Sequence, residues 1–324
     1  MKTKKLVDRI LQEAIQIRTS DIFLLPKKEK YQLLFRNKMG IKEIDNLQVD
    51  EGKEIINIFK YSAQMDISEH RRPQVGAMTY SYEQNDYFLR LSSLGDFNDQ
   101  ESLVIRIIYK LDASKYFLKG QFEQILSLAY KRGLIITSGP TGSGKTTTMY
   151  ELAKGLGNDK IVLTIEDPVE IEEERFIQAQ INKEAGIDYL DLLKAALRHR
   201  PDVLIVGELR DKATARVALD AALSGHLVLA TVHARNTLQT ISRLEGLGLR
   251  TDELANCLTA VCYQRLLPTQ TGLSCLMDIA DSDKLHENLF QKVRGDFVNW
   301  TQNLALLKEE GEIDDRTFQL FKEG

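Results

Sequence analysis

The chain has 324 residues, of which 43% are hydrophobic and 28% are charged, and its formal net charge is −4. This length accommodates two ordinary domains, and the composition is typical of a soluble globular protein. No apolar stretch approaches the roughly 18–20 residues that span a bilayer, and the basic start of the chain lacks the apolar run of a signal peptide. The net charge gives no general attraction to nucleic acid.

The first 111 residues predict a small α+β domain, because helical and strand patterns occur in separate blocks. Residues 3–17 place apolar side chains on one helical face, and a second helix carries Ile55, Ile58 and Phe59 as its buried stripe. A turn is predicted over Asn37–Gly40. The predicted strands are Asp21–Leu25, Tyr31–Arg36, Gln74–Tyr82, Asp86–Ser92 and Ser102–Ile108. Residues 112–120 are predicted to be a linker.

Residues 121–280 predict an α/β domain, because strands and helices alternate as they do around a parallel sheet. A helix over Phe122–Arg132 precedes the first strand, and Asp211–Ser224 is a later, alanine-rich helix. A further helix is expected from Thr251 to about Leu267, followed by a strand at Leu273–Ala280. The other predicted strands are Leu134–Thr137, Ile161–Glu166, Val203–Val206 and His226–Val232. Residues 281–324 are predicted to be a helical segment.

A glycine-rich stretch follows the first strand of this domain and fits the pattern G-x-x-x-x-G-K-[ST] without a mismatch. Such a loop curls its backbone N–H groups around phosphate oxygens at a helix N-terminus. The lysine is expected to reach the β- and γ-phosphates of a nucleoside triphosphate, and Thr146 to hold Mg²⁺. The predicted binding residues are Gly139, Pro140, Thr141, Gly142, Ser143, Gly144, Lys145, Thr146 and Thr147. The alternative is an ordinary glycine-containing turn between a strand and a helix.

Carboxylates follow the next two strands of this domain. The carboxyl ends of parallel strands form one crevice, so Glu166, Asp167, Glu170 and Glu208 are expected to face the same nucleotide. An aspartate that supports Mg²⁺ often ends such a strand, but Gly207 stands there. We therefore assign Glu208 to a water-mediated contact with the metal and to positioning the attacking water. For each carboxylate alone, a helix cap or a solvated charge is the simpler interpretation.

Two histidines and three arginines are further candidates. His226 opens the fourth strand and His233 closes it, and a neutral imidazole at a strand end can sense a γ-phosphate. Arginines often complete such a site, sometimes from another subunit. The candidates are Arg90, Arg106 and Arg243, although most histidines and arginines have structural or solvated roles.

Four ordered segments now carry a specific resemblance. They are Gly139–Thr148, Thr164–Glu170, Arg200–Asp211 and Ser224–Ala234. Together they resemble the Walker A, Asp box, Walker B and His box of the type II secretion and type IV pilus assembly ATPases. The segment around Thr19–Ile22 looks like the PAS-like N-terminal domain of that family.

The resemblance implies a RecA-like ATPase domain behind a PAS-like domain, and a cytoplasmic motor at the inner face of the cell membrane. It implies ATP and Mg²⁺ as ligands, a homo-hexamer, a polytopic membrane platform protein as partner and pilins moved indirectly. Carried over by position, Lys145 and Thr146 bind phosphate and Mg²⁺, and Glu208 and Glu170 are the Walker B and Asp-box glutamates. The pair His226 and His233 would form the His box, and the three arginines would approach the nucleotide.

Two departures narrow the resemblance, because neither the zinc insertion nor the extra N-terminal module of the long members is expected in this chain. The larger export members carry a four-cysteine zinc insertion, whereas this chain has Pro268–Gly272 at that place, so no zinc is expected. A short chain of this kind is similar to the competence-type ATPase of Gram-positive bacteria, which assembles a DNA-uptake pilus. Alternatives that stay open are another type IV filament system, a nucleic-acid-stimulated motor of RecA-like fold, and a nucleotide-gated binding module. No direct nucleic-acid binding is expected.

Overall fold

The computed structural model describes residues 2–37, 40–109, 115–182, 186–269, 272–291 and 295–324. The chain divides into two compact units, Met1–Lys110 and Leu111–Gly324. The middle of the predicted turn at Asn37–Gly40 (residues 38–39) and the start of the predicted linker (residues 112–114) lie outside the described ranges. Where the description resumes, Tyr116 forms an isolated bridge with Cys275, so this end of the predicted linker is paired with the second unit.

The first unit contains a sheet with strand order β3-β2-β1-β6-β5-β4, in which all neighbours are antiparallel. Its elements are α1 (Lys2–Gln16), β1 (Asp21–Lys27), β2 (Lys30–Asn37), β3 (Gly40–Gln48), α2 (Val49–Ser62), β4 (Gln74–Tyr82), β5 (Asn85–Gly95) and β6 (Glu101–Ile108). Strand β3 was not predicted. Within it only Leu47 is buried, so the strand has no apolar run to reveal it and depends on pairing with β2.

The core of the first unit lies between its helices and its sheet. Leu11 from α1 and Ile55 and Phe59 from α2 are fully buried with Ile22 and Leu24 of β1. The predicted apolar helix faces therefore form this core, except that Ile58 only packs against its edge. The α+β expectation agrees with this arrangement, while the resemblance to PAS domains stays a prediction.

The second unit is an α/β domain whose sheet has the order β13-β12-β7-β11-β10-β8-β9. Its elements are α3 (Lys119–Ala129), β7 (Gly133–Ser138), α4 (Lys145–Gly155), β8 (Val162–Glu166), β9 (Ile177–Gln180), α5 (Tyr189–Arg198), β10 (Val203–Val206), α6 (Lys212–Leu223), β11 (Leu227–Val232), α7 (Gln239–Gly246), α8 (Thr251–Cys257), β12 (Leu258–Thr269), β13 (Gly272–Ala280), α9 (Ser282–Phe290), α10 (Trp300–Glu309) and α11 (Asp315–Phe321). The sheet is mixed, because β13 is antiparallel to β12 and the other neighbours are parallel.

The predicted helix from Thr251 to about Leu267 is wrong beyond Cys257. Helix α8 ends there, and Leu258–Thr269 is a strand between β7 and β13. Most of its residues are buried on both faces, so neither a helical nor a strand period stands out in the sequence. Its pairing partners, which lie far away along the chain, decide the conformation.

The central strands position the candidate site. Their side chains are buried on both faces, with Leu134 and Ile136 in one core cluster and Ile135 in the other. Because these strands are parallel, their carboxyl ends meet at one edge of the sheet, where β8 ends at Glu166 and β7 at Ser138. Within the described ranges, no helix is long and apolar enough to cross a membrane.

Candidate active site

The phosphate-binding loop (Gly139–Thr146) joins the end of β7 to the start of α4. Gly139, Gly142 and Gly144 have φ values of +142°, +78° and +85°, which side chains rarely adopt. A Cβ at Gly139 would lie 2.5 Å from the main-chain oxygen of Gln264. Glycine is therefore required at this position both by its dihedral angle and by the close approach of β12.

Lys145 folds back over this loop. Its Nζ donates to the carbonyl oxygens of Gly139 at 3.0 Å and Pro140 at 2.9 Å. Burial lowers the pKa of Lys145, and the negative charges of Glu208 and Glu170 oppose that shift. The ammonium group is thus held inside the site by main-chain oxygens, with two carboxylates favouring its charge.

A cleft of about 480 Å³ opens beside the loop. The phosphate-binding loop and the residues that follow β8, β10 and β11 line it. Most of the predicted site residues are among these lining residues, namely Thr141, Gly142, Gly144, Lys145, Thr146, Thr147, Glu166, Asp167, Glu170, Glu208 and His233. Gly139 and Pro140 line a neighbouring pocket that His233 shares, and Ser143 is only 2% exposed. The structure therefore brings the loop, the carboxylates and one histidine together.

Glu208 lies between an arginine and a histidine. Arg210 Nε donates to its Oε2 at 2.7 Å, and His233 Nε2 lies 3.6 Å from its Oε1. Arg210 also approaches Asp167 at 3.5 Å, and its hydrogen bond to Glu208 raises the pKa of the guanidinium group. The carboxylate is consequently oriented from both sides, with 20% of its side chain exposed to the cleft.

Thr146 and Glu170 place oxygen atoms on the other wall. Thr146 Oγ1 donates to Glu170 Oε2 at 3.3 Å. Among the described residues, no three His, Cys, Asp or Glu side chains converge to hold a metal ion. A hydroxyl and separate carboxylates suit Mg²⁺, which usually keeps water ligands and binds phosphate oxygens of a substrate.

Glu166 differs from the other carboxylates, because it is only 3% exposed. Its Oε1 accepts hydrogen bonds from Tyr150 Oη at 2.5 Å and Thr164 Oγ1 at 2.7 Å. Burial raises the pKa of Glu166, and these two hydrogen bonds partly offset the rise. Gln178 donates in turn to Tyr150 Oη at 2.6 Å. The network supports the floor of the cleft.

His226 does not line the cleft, and its predicted role at the nucleotide stays a prediction. It precedes β11 at the amino edge of the sheet, where its Nδ1 lies 3.1 Å from the carbonyl oxygen of Ala221. His233 follows β11 at the opposite edge and lines the cleft. Seven residues of extended chain span about 20 Å, so one strand cannot present both rings to one phosphate.

Of the three arginine candidates, Arg243 belongs to the same unit as the cleft and does not line it. Arg243 lies on the exposed side of α7. Arg106 belongs to the first unit, where its Nε donates to Asp21 Oδ1 at 2.9 Å, and Arg90 lies opposite it on β5. Their approach to a nucleotide stays a prediction.

Three residues of the site were not singled out from the sequence. Arg210 stands two positions after Glu208, so the spacing alone could have suggested it. Tyr150 lies on α4 directly after the loop, but its residue type gave no sign that it bonds to Glu166. Gln264 carried no signal, because only the packing decides where β12 lies.

The sequence of this chain is similar to those of known proteins. The family described as type II/IV secretion system protein matches residues 2–299. The chain is 36% identical over 310 residues to the competence protein ComGA of Streptococcus pneumoniae, covering 96% of this chain and 95% of that protein. It is 38% identical over 272 residues to the ComGA protein of Bacillus subtilis, covering 82% and 76% of the two chains. The type IV pilus assembly ATPase TfpB of Acinetobacter baylyi is also 38% identical, over 81% of this chain and 46% of that protein.

Solved structures give a consistent picture of the fold. The pilus retraction motor PilT with bound ADP superposes with a TM-score of 0.75 at 26% identity, covering 96% of this chain and 95% of that chain. The ATPase DotB of Legionella pneumophila has a TM-score of 0.76 at 22% identity, covering 97% and 94%. Similarity extends over both units of the chain.

Proposed function

We propose a function from the premise that this chain belongs to the type II/IV secretion system protein family. It is an ATPase of that family. We infer that it is the motor that hydrolyses ATP to assemble a competence pseudopilus for DNA uptake. The observation that carries this proposal is a cleft in which Glu208, held by Arg210 and facing His233, lies beside the phosphate-binding loop. The near full-length similarity to a competence protein supports the pseudopilus as the driven filament.

ATP fits the cleft through its phosphates. The glycines leave room for a phosphate to approach the main chain of the loop, and at Gly142 a Cβ would meet nothing within 4 Å. Lys145 would exchange the carbonyl oxygens of Gly139 and Pro140 for the β- and γ-phosphate oxygens. This exchange replaces two neutral acceptors by charged ones and strengthens the hydrogen bonds.

The residues present also fit Mg²⁺. Thr146 would hold the ion directly, and Glu208 would reach it through a water molecule. When bound, the ion neutralises charge on the β- and γ-phosphates. Glu170, which accepts from Thr146, would orient its hydroxyl toward that position.

Glu208 would position the attacking water and accept its proton. Arg210 fixes one carboxylate oxygen, which leaves Oε1 facing His233. His233 would donate to a γ-phosphate oxygen as charge develops there. A carboxylate oriented before the reaction costs little reorganisation in the transition state.

The assembled machine would be a homo-hexamer at the cytoplasmic face of the membrane. Its RecA-like domains would convert hydrolysis into rotation, with the PAS-like first units moving against them. Arg90, Arg106 and Arg243 would approach the nucleotide, some of them from a neighbouring subunit. A polytopic membrane platform protein would receive the motion and add pilins.

The proposal is tested in cells that carry Lys145→Ala, with Lys154→Ala on the same helix as the matched control. We expect loss of both pilus filaments and DNA uptake in the first strain and neither loss in the second. Loss of filaments with normal DNA uptake would assign the motor to a different filament system. Hydrolysis by the purified chain that rises several-fold with single-stranded DNA would instead support a nucleic-acid motor.

The hexamer has its own test. Sedimentation of the purified chain with a non-hydrolysable ATP analogue should give a six-subunit species. A monomer under these conditions would contradict the assembly part of the proposal.

A further inference from the structure

Gln264 is a buried polar residue that reaches the phosphate-binding loop from β12. Its side chain has no exposed surface, and its Nε2 donates to the carbonyl oxygen of Ser143 at 2.8 Å. Ser143 stands between Gly142 and Gly144, which both line the cleft. The Ser143 carbonyl belongs to the same peptide unit as the Gly144 N–H, so the amide of Gln264 holds the peptide unit that sets the direction of this N–H.

Main-chain contacts add to this attachment. Tyr263 pairs with Ser138 at the end of β7, so Gln264 stands beside the first residue of the loop. The carbonyl oxygen of Gln264 would lie 2.5 Å from a Cβ at Gly139, and its Nε2 would lie 3.3 Å from a Cβ at Gly144. Gln264 thus contacts the loop near both of its ends.

The remaining polar atom of the side chain is not satisfied. Among the described residues, Gln264 Oε1 is buried and has no hydrogen-bond partner. Nε2 has a second, weak contact with Cys275 Sγ at 3.7 Å. A methionine would fill the same space without a buried, unpaired oxygen, so packing alone does not favour glutamine here. The donor to Ser143 is the property that only the amide supplies.

The neighbours of Gln264 on β12 face the helices near the end of the chain. The Tyr263 ring lies 5.3 Å from that of Trp300 and 5.5 Å from that of Phe297. The Arg265 guanidinium lies 4.8 Å from the centre of the Phe321 ring. Strand β12 is therefore fixed on one face by an aromatic cluster while Gln264 reaches the phosphate-binding loop.

We propose that Gln264 is a positioning residue of the ATP site, acting through the Ser143 carbonyl to aim the loop N–H groups at the phosphates. The inference rests on the proposed function of this cleft. Gln264 should mainly affect the affinity for nucleotide, because the loop contacts the phosphates of the substrate, the transition state and ADP alike. Uniform binding of this kind changes KM and leaves kcat nearly constant.

The first test compares Gln264→Met with Gln121→Met in the purified full chain. Gln121 also bonds main chain, donating to the Met277 carbonyl at 2.6 Å and accepting from its N–H at 3.0 Å. Its two hydrogen bonds go to the strand next to β12 and not to the loop. We expect Gln264→Met to raise KM for ATP and Kd for ADP about tenfold, with kcat within about twofold of wild type. Gln121→Met should leave KM unchanged. Equal KM values for the two variants would overturn the proposal.

The second test uses Gln264→Glu across pH. A neutral carboxyl can donate its O–H to the Ser143 carbonyl, whereas a carboxylate repels it, and burial raises the pKa of such a group. The ratio of variant KM to wild-type KM should therefore fall as pH decreases from 8 to 6, and Gln121→Glu should show no such trend. A ratio that is constant over this range contradicts the proposal. Wild-type hydrolysis measured in parallel separates this outcome from failure of the proposed ATPase site.

Discussion

The two edges of the sheet in the second unit use polar residues in opposite ways. At the carboxyl edge, Lys145, Glu208 and His233 line a cleft, where Lys145 bonds to the loop and Glu208 lies between Arg210 and His233. At the amino edge, polar side chains bond to nearby main chain. Ile161 N–H donates to Asp202 Oδ2 at 3.0 Å, and Arg132 donates to the Gly225 carbonyl at 3.1 Å.

The difference follows from the direction of the strands. In a parallel sheet, the chain leaves every strand at the carboxyl edge and enters a helix there, so helix N-termini with free N–H groups gather at that edge. Anions are attracted to these N–H groups. At the amino edge the chain returns from helix C-termini, whose carbonyl oxygens accept from groups such as Arg132 and His226. The carboxyl edge can therefore bind phosphate, while the polar groups at the amino edge bond to main chain and stabilise the fold.

Among the variants that test this difference between the two edges, the one that removes the lysine of the loop should have the largest effect on ATP turnover. Lys145→Ala should lower ATP turnover on the order of 10³-fold, because no other described cation lies at the loop carbonyls. Lys154→Ala on the same helix removes only a partly exposed pair with Glu173 at 2.6 Å and should keep its turnover. Steady-state hydrolysis assays of both variants are the measurement. If Lys145→Ala kept wild-type turnover, the carboxyl edge would not be the reaction site.

Replacing Glu208, the proposed base, should reduce turnover nearly as much. Glu208→Gln should lower kcat by about 10²–10⁴-fold while ADP still binds, because the amide cannot accept the proton of the attacking water. The matched control is Glu253→Gln, which loses a surface pair with Arg216. Hydrolysis is followed together with ADP binding by calorimetry. A Glu208→Gln protein that hydrolyses ATP normally would show that another group accepts the proton.

The two histidines test the edges directly. His233→Ala should lower kcat by about 10–10²-fold through loss of a donor beside Glu208. His226→Ala should keep kcat and cost about 1 kcal/mol of folding stability, because within the described residues it loses the hydrogen bond between its ring and the Ala221 carbonyl. Turnover and denaturant unfolding are measured for both variants. An equal loss of turnover would mean that the amino edge takes part in catalysis.

The smallest expected effect is on how the free energy of unfolding changes with pH. Burial raises the pKa of Glu166 above 4.5, so the contribution of this residue to stability is present at low pH and is lost as pH rises through the folded-state pKa. The stability of Glu166→Gln relative to wild type should therefore increase with rising pH. Unfolding free energies at pH 5 and pH 8 measure the trend.

Glu173 provides a control of opposite sign for this trend. Burial alone would raise its pKa, but hydrogen bonds from Lys154 and Arg175 together lower it. Its contribution to stability is then lost as pH falls, so Glu173→Gln should be least costly at low pH. Parallel trends for the two variants would contradict the assigned causes.

The chemistry of the cleft was largely predictable because it is encoded locally. The spacing from Gly139 to Thr146 needs only neighbouring residues to form the loop, and each strand that ends in a carboxylate is short and apolar. Glu170, Glu208 and His233 follow such strands and line the cleft as expected. Their common edge follows from the parallel direction of these strands. The order of the strands within the sheet was not predicted.

Other features were decided only by packing over long separations. The chain from Leu258 to Thr269 is apolar on both faces and becomes a strand because β7 and β13 offer it partners. That placement alone brings Gln264 to Ser143, a contact between residues 121 positions apart. The position of His226 depended likewise on the direction of β11. The sequence by itself indicated which residues are candidates for binding and hydrolysing a nucleotide, because short-range spacing sets the geometry of the loop. The tertiary structure decided which of these candidates reach the cleft and what supports them, because burial and pairing join distant segments.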